Sequence, residues 1–238
     1  MKGLPFFEDA WAPGNRKATI ILLLAPWLLI TFKYAGAPEV FAERIAPLLR
    51  ATALRSWMTE AYVFGAAVLF LGIIPLLVVK GVFRESLGSY GVALGDWRYG
   101  LKWFLVLAPV FVVSSYLASK EPAFIREYPI DKGVCLTLPS FGSHALRYLC
   151  FYLSWEFFFR GFMQSGLEGR FGTGYAILMQ TLASALVHIG KPPGEIYGSI
   201  LAGLAWGVIV AKSRSLLAVV LMHWLLGVSL DFFLCRVP

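Results

Sequence analysis

The chain has 238 residues, 58% of them hydrophobic and 15% charged, with a mean hydropathy of +0.71. One water-soluble core cannot bury so large an apolar fraction, so a soluble globular domain is excluded and lipid takes up the excess. The formal net charge of +7 does not signal nucleic acid, because Lys and Arg are scattered through short connections without interleaved aromatics. A membrane surface is the partner that fits.

A bilayer-spanning helix needs about 20 predominantly apolar residues. Runs that approach this length lie at 18–32, 61–79, 103–118, 145–167, 171–187, 196–211 and 215–233. The fold class expected is therefore all-α, a polytopic transmembrane helical bundle with about seven spans. Helices are favoured over a barrel because the runs are continuous and do not alternate at a ten-residue scale. The first run follows Pro13, Gly14 and Asn15 without a small-residue cleavage site and reads as a retained anchor. Lys2, Arg16 and Lys17 precede it, and Lys80, Arg84, Arg98 and Lys102 flank the next connection but one, whereas Lys120, Arg126 and Lys132 are diluted by Glu121, Glu127 and Asp131. The positive-inside rule then predicts a cytoplasmic N-terminus, and an odd number of spans puts the C-terminus outside.

Between the first two runs, residues 35–60 predict an amphipathic interfacial helix. Phe41, Ile45, Leu48, Leu49, Thr52 and Leu54 fall on one face, with Pro47 interrupting it. Residues 119–143 hold Pro122, Pro129, Pro139, Gly133 and Gly142 and predict an irregular loop. Cys135, Cys150 and Cys235 are too few and scattered for a disulfide framework or a metal site and are assigned to packing. Trp155, Trp206 and Trp224 are expected inside, and Trp11, Trp27, Trp57, Trp97 and Trp103 at the membrane interface. The whole of 1–238 reads as a single membrane domain, with the intramembrane polar residues concentrated in a motif-bearing part at 145–235.

A charged side chain in a spanning helix costs about 2.5–3.5 kcal/mol on insertion scales, so it is normally paired and marks function. Three places carry such residues. In Trp155-Glu156-Phe157-Phe158-Phe159-Arg160-Gly161 the spacing puts Glu156 and Arg160 on one helix face. His188 ends a run before Gly190-Lys191-Pro192-Pro193-Gly194, and Glu195 opens the next helix, where its carboxylate suits the dipole. His223 precedes Asp231 by eight residues, about two turns, so both can face one cavity. His144 sits before the Glu156 run and receives no role. Taken singly, a Glu–Arg tie or an interior histidine is a structural feature; their joint occurrence points to a shared polar pocket.

The order of these motifs resembles the CAAX protease and bacteriocin-processing family, also called Abi, of intramembrane glutamic proteases, with its EExxxR, FxxxH and HxxxN or HxxxD motifs. Glu156 and Arg160 match the second Glu and the Arg of the first, His188 the second, and His223 the third. Three positions depart: Trp155 stands where the first Glu would be, Ser184 where the Phe would be, and Gly227 where the Asn or Asp would be. The resemblance implies metal-independent hydrolysis of a peptide bond in a membrane-delivered substrate, a lipidated protein tail or a secreted peptide precursor. Glu156, His188 and His223 would be catalytic, with Arg160, Glu195 and Asp231 supporting and no cofactor. Location would be an integral protein of a prokaryotic cytoplasmic (inner) membrane. The alternative is a catalytically impaired relative that binds or sequesters a peptide, as in bacteriocin self-immunity. A zinc enzyme or transporter is a third reading, against which stand the lack of an HExxH pair and of inverted halves.

Overall fold

A computed structural model describes residues 5–48 and 55–236. The chain is an all-α polytopic bundle, with no strand among the described residues. We label the long helices α1 (Arg16–Ala35), α2 (Trp57–Phe83), α3 (Trp97–Ala118), α4 (Leu138–Glu156), α5 (Gly166–Val187), α6 (Pro193–Ser213) and α7 (Leu217–Leu234). Five of these, α1, α2, α3, α6 and α7, are long and apolar enough to cross a membrane. The remaining two, α4 and α5, carry the polar motif residues that lower their hydropathy.

Local chemistry sets the helix ends. Asp96 accepts from the Tyr99 amide to start α3, and Thr137 accepts from the Ser140 amide to start α4, each satisfying a donor the helix leaves free. Pro193 opens α6, where its missing N–H costs nothing. From Glu156 the α4 rod runs on with π-helical hydrogen bonding through Phe157–Ser165, the wider spacing that frequently occurs at functional positions. A break at Gly172 (φ +76°) divides α5.

The motif-bearing helices α4 to α7 form the centre. Helix α3 lies along α7, α1 along α5, and α2 along α4. Small residues let α6 come close: a Cβ on Gly203 would meet Thr181 at 2.7 Å, and one on Gly207 would meet Ile177 at 2.9 Å. Across this seam Gln180 Nε2 donates to the Gly203 carbonyl and Gln164 Nε2 to the Gly207 carbonyl, both at 2.8 Å.

Several expectations are corrected. The amphipathic segment is helical at Pro38–Val40 and Phe41–Ile45 and gives way to a turn at Pro47; Phe41 is buried but Leu48 is exposed, and Leu49, Thr52 and Leu54 lie outside the described residues. The stretch 119–143 contains a helix at Pro122–Glu127 and the first turns of α4, because the prolines sit at helix starts. Cys135 and Cys235 form a disulfide, Cα–Cα 5.1 Å across 100 residues of sequence, which packing alone had been assigned to; Cys150 is free. Trp155 and Trp206 are buried, whereas Trp11, Trp27, Trp57 and Trp97 are exposed.

Candidate active site

Two turns of the α4 rod bring Glu156 and Arg160 to the bundle interior, where they are 0% and 1% exposed. Arg160 Nη1 lies 3.3 Å from Glu156 Oε1 and 3.2 Å from Oε2. The guanidinium also lies over the Trp206 ring, 5.4 Å from its centroid, a contact that suits a planar cation away from water. Removing one partner of such a pair would strand a buried charge.

His223 of α7 completes the cluster. Its Nδ1 donates to Glu156 Oε1 at 2.6 Å, as short as the shortest charge-assisted bonds of this kind. That bond fixes the ring and turns Nε2 outward. The His223 ring packs, tilted, against Tyr152 at 4.1 Å between centroids and against Trp206 at 4.9 Å. Glu156 Oε2 is ion-paired with Arg160 Nη1 but makes no hydrogen bond among the described residues, so it keeps a lone pair with which to accept.

His188 caps the end of α5. Its Nδ1 donates to the Ser184 carbonyl at 2.6 Å, which leaves Nε2 facing Glu195 Oε1 at 3.9 Å. Tyr128 donates to both oxygens of Glu195, at 3.0 and 2.9 Å. Burial, then the Glu195 carboxylate, hold the Tyr128 phenol well above the usual tyrosine range, so it remains a donor. Lys33 donates to the Val187 and Ile189 carbonyls on either side of His188, satisfying the helix end.

Trp155 links the two histidines. Its ring meets His188 edge-on at 5.4 Å and His223 edge-on at 6.4 Å. The shared polar pocket expected between the histidines thus has an indole between them. Its Nε1 is buried without a hydrogen-bond partner among the described residues. A cavity of about 390 Å³ lies elsewhere, lined by Gly88, Gln164, Glu168 and Arg214 among others, and includes none of the motif residues.

Asp231 does not join His223. It accepts from His144 Nε2 at 2.9 Å, while His144 Nδ1 meets Glu60 Oε1 at 3.1 Å and Arg147 donates to both Glu60 oxygens, at 3.1 and 3.2 Å. This second buried cluster, tying α2, α4 and α7, was missed because His144 precedes the apolar run and Glu60 abuts one. Only the cost of burying a carboxylate beside such a run hinted at it. Nor does Asp231 replace the side chain missing at Gly227: a Cβ there would collide with the Tyr152 hydroxyl, which occupies that space. Among the described residues no three His, Cys, Asp or Glu side chains are grouped as a metal ion would need.

Fold and site together define a polytopic helical membrane protein with a histidine–carboxylate centre in its interior. Residues 141–229 match the family model described as Type II CAAX prenyl endopeptidase Rce1-like. Neither a curated protein nor a solved structure matches the chain.

Proposed function

We propose that the protein is an intramembrane endopeptidase that hydrolyses a peptide bond with water activated at the Glu156–His223 pair, without a metal ion. The observation that carries this reading is the 2.6 Å contact between two buried groups from distant helices, braced by Arg160 on the far side. The proton removed from water is taken up by the Glu156–His223 pair. The water oxygen bonds to the scissile carbonyl carbon; the C–N bond then breaks as the pair returns the proton to the leaving amine. His188 and the Trp155 indole N–H flank the reacting carbonyl as its polarising groups. Arg160 positions Glu156.

The test is cleavage of a fluorogenic peptide library by the purified full chain in detergent. Glu156→Gln is expected to remove about 10²–10⁴-fold of the rate, and Trp155→Phe about 10²–10³-fold in kcat, with both variants folded. Chelators should leave turnover unchanged; chelator-sensitive cleavage restored by zinc would overturn the metal-free mechanism. A second reading, a relative that holds a peptide without cutting it, is favoured by Trp155 standing where the resembled family has a glutamate. Peptide binding that survives Glu156→Gln, with no turnover in either form, would select it.

A further inference from the structure

The long helices alternate in direction, so their ends gather on two opposite faces of the bundle. One face is tied together by Lys17 to Glu85, the Asp96 amide to the Ser213 carbonyl, and the Leu216 amide to the Gly91 carbonyl. The other holds Lys33 against the end of α5, Lys191 against Glu127, Tyr128 against Glu195, His144 against Asp231, and the Cys135–Cys235 disulfide. Disulfides form and persist in oxidising compartments and are rare where thiols are kept reduced. The covalent bond therefore marks which face is which.

The exposed edge of the site lies on the disulfide face. His188 stands at the α5 end beside the 189–192 turn, with 12% of its side chain exposed, and Glu195 next to it is 24% exposed. Beyond Glu156 in the other direction, Phe158, Phe159, Arg160 and Phe162 are all buried.

We infer that the site opens on the oxidising side of the membrane and takes as substrate the membrane-proximal segment of a polypeptide already exported to that side. A tail lipidated in a reducing cytosol would meet the closed face. The substrate class rests on the peptidase reading; the orientation rests on the disulfide and the helix ends alone.

Orientation is read by thiol labelling of the full chain in sealed right-side-out vesicles from expressing bacterial cells, on a Cys150→Ser background. With a membrane-impermeant maleimide, Lys120→Cys should label strongly and Lys102→Cys only after permeabilisation, while Cys135 and Cys235 label only after an impermeant reductant. Labelling of Lys102→Cys in sealed vesicles, protection of Lys120→Cys, or labelling of Cys135 and Cys235 without reductant would each overturn the inference. No cleavage is needed for this readout. A reversed pattern removes the exported substrate and leaves the peptidase reading standing, and a silent cleavage assay leaves the orientation standing.

Discussion

Two histidine–carboxylate clusters share helices α4 and α7, and they differ in how the histidine is used. At the disulfide end, His144 spends both ring nitrogens on carboxylates and Arg147 covers both oxygens of Glu60. Deeper in, His223 spends one nitrogen on Glu156, and Glu156 keeps an oxygen without a hydrogen bond among the described residues. Each cluster leaves one carboxylate oxygen without a hydrogen bond among the described residues, Asp231 Oδ1 in the first and Glu156 Oε2 in the second; the difference is the histidine, which is tied at both ends in one and keeps a ring nitrogen for a reacting molecule in the other. Tyr148 and Tyr152 stack in a column between the clusters, His144 to Tyr148 to Tyr152 to His223, at 5.1, 4.5 and 4.1 Å between centroids. The lock thereby holds the register in which the open pair meets.

If that division is right, the largest stability effect comes from the lock. His144→Ala leaves Glu60 and Asp231 buried without their shared donor and is expected to cost about 3–5 kcal/mol, the range for breaking a buried ion pair, measured by thermal unfolding in detergent. A variant as stable as wild type would show that the cluster is not a lock. Gly227→Asn, which restores the side chain of the resembled motif, is expected to cost about 1–3 kcal/mol by overpacking against Tyr152. Tyr152→Phe on that background should recover part of the loss, and no recovery would mean the hydroxyl is not what fills the space.

The smallest effect belongs to the opposite face, where Lys17 and Glu85 meet at 2.7 Å with about a third of each side chain exposed. Burial pushes the Glu85 carboxyl up, but hydrogen bonds from Lys17 and Tyr90 outweigh it and hold it below the usual carboxylate value. A lowered folded value means the contribution is present above the unfolded carboxylate pKa and is lost as pH falls through the folded one. Lys17→Met should therefore cost under about 1 kcal/mol near neutrality, and the difference from wild type should shrink on acidification. A cost that grows in acid would contradict the assignment.

The sequence revealed what short-range physics determines. Uninterrupted apolar runs announced the bundle, and the i, i+4 spacing of Glu156 and Arg160 placed both on one face, where they pair. His223 declared itself by its cost in an apolar helix. What stayed hidden depends on packing between distant segments: Cys135 meets Cys235 only because two helix ends share a face, and Tyr152 fills the gap at Gly227 from 75 positions away. Asp231 was placed by its spacing from His223, yet eight residues is slightly more than two turns and the side chain turns to His144 instead.

The central claim is that one histidine works and the other holds, so His223→Asn and His144→Asn, purified side by side and assayed for both cleavage and Tm, test it most directly. The account predicts that His223→Asn unfolds near the wild-type Tm and does not cleave, while His144→Asn melts earlier but its folded fraction cleaves at the wild-type rate. Wild-type cleavage by His223→Asn, or a His144→Asn protein that keeps the wild-type Tm and has lost activity, would contradict it.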